Sequence, residues 1–296
     1  MVTEVDERQA EVDSMYQAGL VLEGGGMKGV YTSGVLDFFL DKDIEFSNCY
    51  GVSAGACNLC SYLSRQRGRA YAVSVDYLDD KHYCSAYNVL TTGDLFGVKM
   101  CYDDIPNRLN PYEAFNAYKG KAYAVVTNIE TGQPEYLRLK EMNRDIIAVR
   151  ASASLPLVSR NVKIGDKLYL DGGLSDSVPI MHSIVDGNRK NVVVLTKEVG
   201  YRRQPASHLG IMKLRYARYP KIYELMANRH IAYNNMLDYL DAQVANGQAF
   251  VIRPKKASGI GRIEKDKEKL RMLYEEGYQD ARDCYDDLMH YLENGA

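Results

Sequence analysis

The chain has 296 residues, 46% of them hydrophobic and 26% charged, with 37 Lys and Arg against 39 Asp and Glu. That length can bury a substantial core, and one large domain is the default expectation. A formal charge of −2 supplies no global basic field, so composition argues against nucleic acid as a partner. Residues 1–17 are acidic and polar, without the basic-then-apolar order of a signal peptide, and are expected to be an extension before a single domain at 18–296. No later apolar run approaches the roughly 20 residues that span a bilayer. A soluble cytoplasmic protein is the working expectation. Six cysteines, Cys49, Cys57, Cys60, Cys84, Cys101 and Cys284, lack a disulfide rhythm and read as free thiols.

In chain order, a short apolar strand at 18–23 runs into Gly24-Gly25-Gly26-Met27-Lys28-Gly29, followed by a helix carrying Val30, Leu36, Phe38, Phe39 and Leu40. A second strand at 48–52 leads into Tyr50-Gly51-Val52-Ser53-Ala54-Gly55-Ala56 and a helix at 54–64. Arg65, Arg67 and Arg69 close that helix, where they complement its dipole or form a patch for phosphate or an anionic membrane. A helical region is expected at 71–90 and irregular chain at 91–111. Strands at 123–127 and 134–139 should pair about the turn at 128–132. A helix capped by Asn143 or Asp145 ends in the small residues of 151–156.

A hairpin at 163–170 about Gly165-Asp166 delivers the chain to Asp171-Gly172-Gly173. A helix at 180–185 precedes the continuous apolar strand 192–195, which is of the parallel-sheet type. A long helix at 221–246, a strand at 250–252 and two helices at 263–274 and 278–291, broken at Gly277, complete a helical C-terminal segment from about 205. Strands separated by helices imply a three-layer α/β/α domain with a mainly parallel central sheet.

Gly51-Val52-Ser53-Ala54-Gly55 fits a G-x-S-x-G nucleophile elbow, in which glycines let neighbouring backbone pass a sharp strand-to-helix turn. Gly24 to Gly29 also fits G-x-G-x-x-G, but the second strand ends in Ser53 rather than in the acid a dinucleotide ribose needs. Lys28 is not followed by the Ser or Thr of a Walker loop. Backbone N–H groups at a glycine-lined helix start can instead hold a developing oxyanion. Ser53 then needs a base. His82, His182, His208, His230 and His290 are the five histidines, and none stands at a glycine-punctuated strand end. Asp171 does. A carboxylate sheltered from water is a stronger base than its ordinary pKa of about 3.9 implies. Cys57 and Cys60 have C-x-x-C spacing but read as small residues packing the helix after the elbow.

The three blocks Glu23 to Gly29, Gly51 to Gly55 and Asp171 to Gly173, in that order, resemble the signature blocks of the patatin-like phospholipases. The resemblance implies a serine lipid acyl hydrolase that uses no metal, no cofactor and no histidine. It makes Ser53 the nucleophile, Asp171 the general base and the glycine loop (Gly24, Gly25, Gly26, Met27, Lys28, Gly29) the oxyanion hole, with amides around Gly25 and Gly26 as donors. It also implies a lipid ester substrate; because such substrates reside in membranes and the sequence has no anchor, transient membrane contact is expected, supplied by Tyr and Leu residues near 90–100 or by the basic segment 253–271. Glu23 and Lys28 depart from the Asp and Arg frequent at their positions. A Ser-His-Asp esterase using His208 or His230, a nucleotide-binding oxidoreductase and a non-enzymatic lipid-binding module remain alternatives.

Overall fold

The structure is a computed structural model and describes residues 15–109, 111–207 and 209–294. Most of the acidic extension expected at 1–17, together with His208, lies outside the described residues. The helices and strands labelled here are β1 (Tyr16–Leu22), α1 (Gly29–Asp41), β2 (Phe46–Val52), α2 (Ala54–Leu63), α3 (Arg69–Val75), α4 (Ala86–Thr92), β3 (Lys121–Asn128), β4 (Pro134–Leu139), α5 (Met142–Ser152), β5 (Val162–Ile164) and β6 (Lys167–Asp171). They continue with α6 (Ile180–Val185), β7 (Asn191–Val194), α7 (Leu209–Arg215), α8 (Pro220–Ala245), β8 (Ala249–Ile252), α9 (Lys267–Asp283) and α10 (Tyr285–Asn294).

Eight strands make one sheet in the order β5-β6-β3-β2-β1-β7-β8, with β4 also pairing β3. β3, β2, β1, β7 and β8 are mutually parallel, as expected of short apolar strands separated by helices. Alternation along the strands sorts the core into two layers. Leu20, Leu22, Cys49, Val192 and Val194 pack with α1, α2, α9 and α10. Val21, Tyr50, Val193 and Leu195 face the other way, toward Ile180 of α6 and Tyr233, Leu237 and Leu240 of α8. Both faces are therefore covered by helices. Among the described residues no helix is long and apolar enough to cross a membrane.

Three expected segments differ. The helix expected at 71–90 is split into α3 and α4, because residues 76–85 turn to let Cys84 bridge Phe96. The chain expected to be irregular at 91–111 contains a π-helical segment, Met100–Leu109, whose wide turn accommodates Pro106. Gly277 does not break the C-terminal helices: α9 runs through it to Asp283. The break falls at Cys284. A Cβ on Gly277 would lie 2.1 Å from the Tyr31 carbonyl oxygen, and one on Gly34 would lie 2.0 Å from that of Tyr274. These two glycines are what lets α1 and α9 cross backbone to backbone, and Tyr31 Oη–Asp280 (2.9 Å) and Tyr274 Oη–Asp37 (2.7 Å) hydrogen bonds flank the crossing.

Gly277→Ala is expected to cost about 2–4 kcal/mol, because two helices must separate to admit the methyl group. Gly210→Ala, on α7 with nothing within 4 Å, should be neutral or stabilising. Urea midpoints of the two variants check the contrast.

Candidate active site

The site arises where two strands end against each other on one edge of β3. Along its other edge β3 pairs with β4, Val125 opposite Tyr136 and Val126 opposite Glu135. On the shared edge β2 runs parallel until Val52 meets Val125. β6 then takes over, antiparallel, with Asp171 opposite Val126. The residue after β2 is Ser53 and the last residue of β6 is Asp171, so the register delivers both side chains to one place.

Ser53 is buried and has φ 55° and ψ −121°, a conformation that costs a side-chain-bearing residue of order 1–3 kcal/mol. Glycines make this turn possible. A Cβ on Gly51 would lie 2.6 Å from Ala56 Cα, and one on Gly55 would lie 2.5 Å from the Leu22 carbonyl oxygen. The strained peptide is held by Ser152, whose hydroxyl accepts from the Ser53 N–H at 2.8 Å and donates to the Val125 carbonyl at 2.6 Å. Ser152 was legible only as one small residue among several.

Asp171 is 2% exposed. Its Oδ1 accepts from the Gly173 N–H at 2.8 Å, while Oδ2 is buried with no hydrogen-bond partner. Burial pushes this carboxyl above its ordinary value. The Ser53 hydroxyl beside it, the Arg229 charge, the Gly173 N–H and the Arg262 charge pull the other way. Gly172 is needed where the chain leaves β6, since a Cβ there would lie 2.1 Å from the Val125 oxygen.

The glycine loop passes directly over Ser53, and a Cβ on Gly24 would meet Ser53 Cβ at 2.8 Å. Glu23, fully buried, clasps the loop from below. Its Oε2 accepts from the Thr196 N–H and hydroxyl at 2.7 and 3.0 Å, and its Oε1 from the Tyr233 hydroxyl at 2.6 Å. Within the loop the Met27 N–H donates to the Arg262 carbonyl and the Lys28 N–H to Gly25. Gly29 donates back into the turn. Among the described residues no acceptor meets the N–H of Gly25 or Gly26.

Two cavities share Ser53, Gly26 and Leu155 as a common wall. The first, with about 920 Å³ of empty space including its open mouth, is lined mainly by apolar and aromatic groups such as Met27, Phe96, Ile105, Tyr112, Ile146 and Val149. The second, about 580 Å³ on the same measure, contains Glu23, Asp171 and four cations, Lys197, Arg203, Arg229 and Arg262. Burial lowers the Lys197 ammonium to about 8 and the Arg229 guanidinium to about 10, and the neighbouring cations add to both effects. Among the described residues no histidine lines either cavity. His230 lies on α8. Cys57 lines the apolar cavity, and burial pushes its thiol up to about 12, far from a reactive thiolate. No group of three or more His, Cys, Asp or Glu among the described residues is placed to hold a metal ion.

The arginines after α2 do not form a free patch. Arg65 pairs with Asp43 and Glu45, Arg67 with Asp41, and Arg69 is buried against the Tyr112 ring and donates to Ser61. In the segment 253–271, Lys255, Lys267 and Arg271 are likewise paired to carboxylates.

A family model described as Patatin-like phospholipase matches residues 20–184, more than half of the 296-residue chain, and one described as Domain of unknown function (DUF6363) matches residues 219–293. Uncharacterized protein YjjU of Escherichia coli (strain K12) is 31% identical over 185 residues, 60% of this chain and 51% of that protein. Probable lipid hydrolase 463L of Invertebrate iridescent virus 6 is 26% identical over 196 residues, 60% of this chain and 66% of that protein. The chain thus spans less than two thirds of either relative. The crystal structure of VipD from Legionella pneumophila aligns with a TM-score of 0.46 at 12% identity, over 92% of this chain and 67% of that one.

Ser152→Ala would leave the Ser53 N–H and the Val125 carbonyl buried without their shared partner. A loss of about 2 kcal/mol in unfolding free energy is expected, read from denaturant titration.

Proposed function

Because the chain belongs to the patatin-like phospholipase family, we propose that it hydrolyses fatty acyl esters of phospholipids or related lipids, with Ser53 as nucleophile and Asp171 as its base. The observation that carries this reading is the head-on convergence of β2 and β6 at Val125 and Val126, which brings the Ser53 turn, on the wall of two cavities, beside a buried carboxylate oxygen that lacks a hydrogen-bond partner. We read residues 18–296 as one domain, since β8 completes the sheet and Tyr233 of α8 holds Glu23 under the glycine loop.

In this scheme the Ser53 hydroxyl gives its proton to Asp171 as its Oγ attacks the ester carbonyl carbon. The oxyanion that forms is held by the free N–H groups of Gly25 and Gly26, fixed in place before the reaction and so requiring no reorganisation during it. Collapse expels the alcohol, which takes the proton from Asp171. Water then attacks the acyl-enzyme, again losing its proton to Asp171, and the fatty acid leaves as the Ser53 hydroxyl is restored. The apolar cavity takes the acyl chain. Leu90, 87% exposed, and Leu157, next but one to the shared wall residue Leu155, are the apolar groups we place against the lipid surface during transient contact.

Ser53→Ala is expected to abolish both ester turnover and labelling by a fluorophosphonate, and Asp171→Asn to reduce kcat by about a thousandfold or more. Full activity in Ser53→Ala would overturn the assignment. A second expectation concerns pH. The base must be charged, and burial raises its pKa, so kcat/KM for an uncharged p-nitrophenyl ester should fall with acidification along a limb that lies above the ordinary carboxylate range. The rate recovers as pH rises through that limb. A limb at the ordinary value would show a solvated base.

A further inference from the structure

The second cavity holds more positive charge than the chemistry at Ser53 uses. Lys197, Arg203, Arg229 and Arg262 converge on it from the chain after β7, from α8 and from the segment between β8 and α9. Its two acids are half as many as the cations and offset them only in part. Glu23 is engaged by Thr196 and Tyr233, and Asp171 by Gly173. Among the described residues none of the four cations has a carboxylate oxygen within 4.0 Å, whereas Arg65, Arg67, Arg202 and Arg271 on the surface all do. The Nε atoms of Arg203 and Arg229 are buried without a hydrogen-bond partner.

Lys197, Arg203 and Arg229 are partly buried and Arg262 is exposed beside them, and withdrawing like charges from water side by side is costly unless an anion completes the site. Guanidinium groups are suited to phosphate oxygens, which accept their paired N–H donors. Position narrows the choice. An ester whose carbonyl sits at Ser53 with its chain in the apolar cavity directs its alcohol portion across the common wall into the cations. An ammonium-bearing headgroup would meet four cations there, and the one carboxylate oxygen without a partner, Asp171 Oδ2, is buried beside Ser53.

We propose that Lys197, Arg203, Arg229 and Arg262 form a headgroup pocket for an anionic phosphate, restricting the substrate to phospholipids whose headgroup carries no balancing cation. The proposal rests on the reading of Ser53 as nucleophile. All four residues lie beyond the region 20–184 matched as patatin-like, and Arg229 and Arg262 lie within the region 219–293 that has no assigned function. The C-terminal segment thereby becomes the specificity element of the enzyme.

The test compares kcat/KM on phosphatidic acid, phosphatidylcholine and diacylglycerol, each in micelles of an uncharged detergent. The wild type should prefer phosphatidic acid by about tenfold or more, the scale of one or more charge-assisted hydrogen bonds. Arg203→Gln and Arg229→Gln should each cut that preference about tenfold, mainly through KM, and Arg203→Lys should retain most of it. Fluorophosphonate labelling checks that each variant keeps its fold and reactive serine. Arg202→Gln, an exposed neighbour paired with Asp238, should keep the preference. An equal loss there would reduce the effect to general surface attraction and overturn the pocket.

Binding of Ser53→Ala protein to phosphatidic acid and phosphatidylcholine vesicles separates the two readings. If labelling and turnover are seen but the lipid ratio is near one, the pocket fails and the nucleophile stands. If labelling fails while selective binding is seen and is lost in Arg203→Gln, the nucleophile fails and the pocket stands. Inorganic phosphate is the remaining arm. Stabilisation of the wild type by phosphate but not of Arg203→Gln, with no lipid preference, would assign the pocket to free phosphate and overturn the headgroup role.

Discussion

One edge of β3 is shared by two strands that run toward each other and stop one residue apart, Val52 opposite Val125 and Asp171 opposite Val126. The site depends on that seam. A parallel strand and an antiparallel strand cannot continue past each other on one edge, so both chains must leave the sheet at once. β2 leaves through the strained turn at Ser53 and β6 through Gly172. The carbonyl groups and N–H groups freed at the junction need partners, because unpaired backbone in a core is costly. Ser152 bridges Ser53 to Val125, and Thr127 donates to the Asp171 carbonyl at 2.8 Å. The Asp171 N–H reaches Ser154 at 2.8 Å. Strain at Ser53 is maintained by its surroundings, which is the condition under which such strain persists.

The glycine loop is held just as firmly, but from the far end of the sequence. Glu23 anchors it to β7 and α8, and the Arg262 carbonyl occupies the Met27 N–H. Gly26, with φ +59°, admits that carbonyl, which would lie 2.5 Å from any Cβ. Residues outside the patatin-like match therefore decide which N–H groups of the loop are free. The Arg262 carbonyl takes the Met27 N–H, while the N–H groups of Gly25 and Gly26 meet no acceptor among the described residues.

Where local chemistry determines structure, the sequence was a sufficient guide. The span at 180–185 is the observed α6, and the hairpin about Gly165-Asp166 forms with Lys163 opposite Leu168. The glycine blocks stood out because close backbone approach tolerates no other residue. Pairwise tertiary choices were illegible. Gly277 reads as a helix stop in one dimension and is a helix crossing in three. Ser152 is indistinguishable from the other small residues of 151–154 until Val125 is placed beside it. Arg229 did leave a trace: Ile222, Met226, Arg229, Tyr233, Leu237 and Leu240 follow one helical stripe, so a charge stands in an apolar series. Such a charge needs a reason, and the cavity beside Asp171 supplies it.

Burial raises the Asp171 pKa, and two of the same cations, Arg229 and Arg262, pull against it. A carboxylate whose folded pKa is raised favours the folded state most where it is protonated. That contribution fades as pH rises through the ordinary value toward the raised one. Burial thus disfavours the charged form of Asp171, which is the form the proposed mechanism needs as base. Arg229 and Arg262 temper that penalty by favouring the charge, and by doing so they weaken the base. An anion seated on them would offset their pull. In the proposed scheme Asp171 would then bind a proton more strongly while an anionic ester lies against Ser53, on the same wall that the two cavities share.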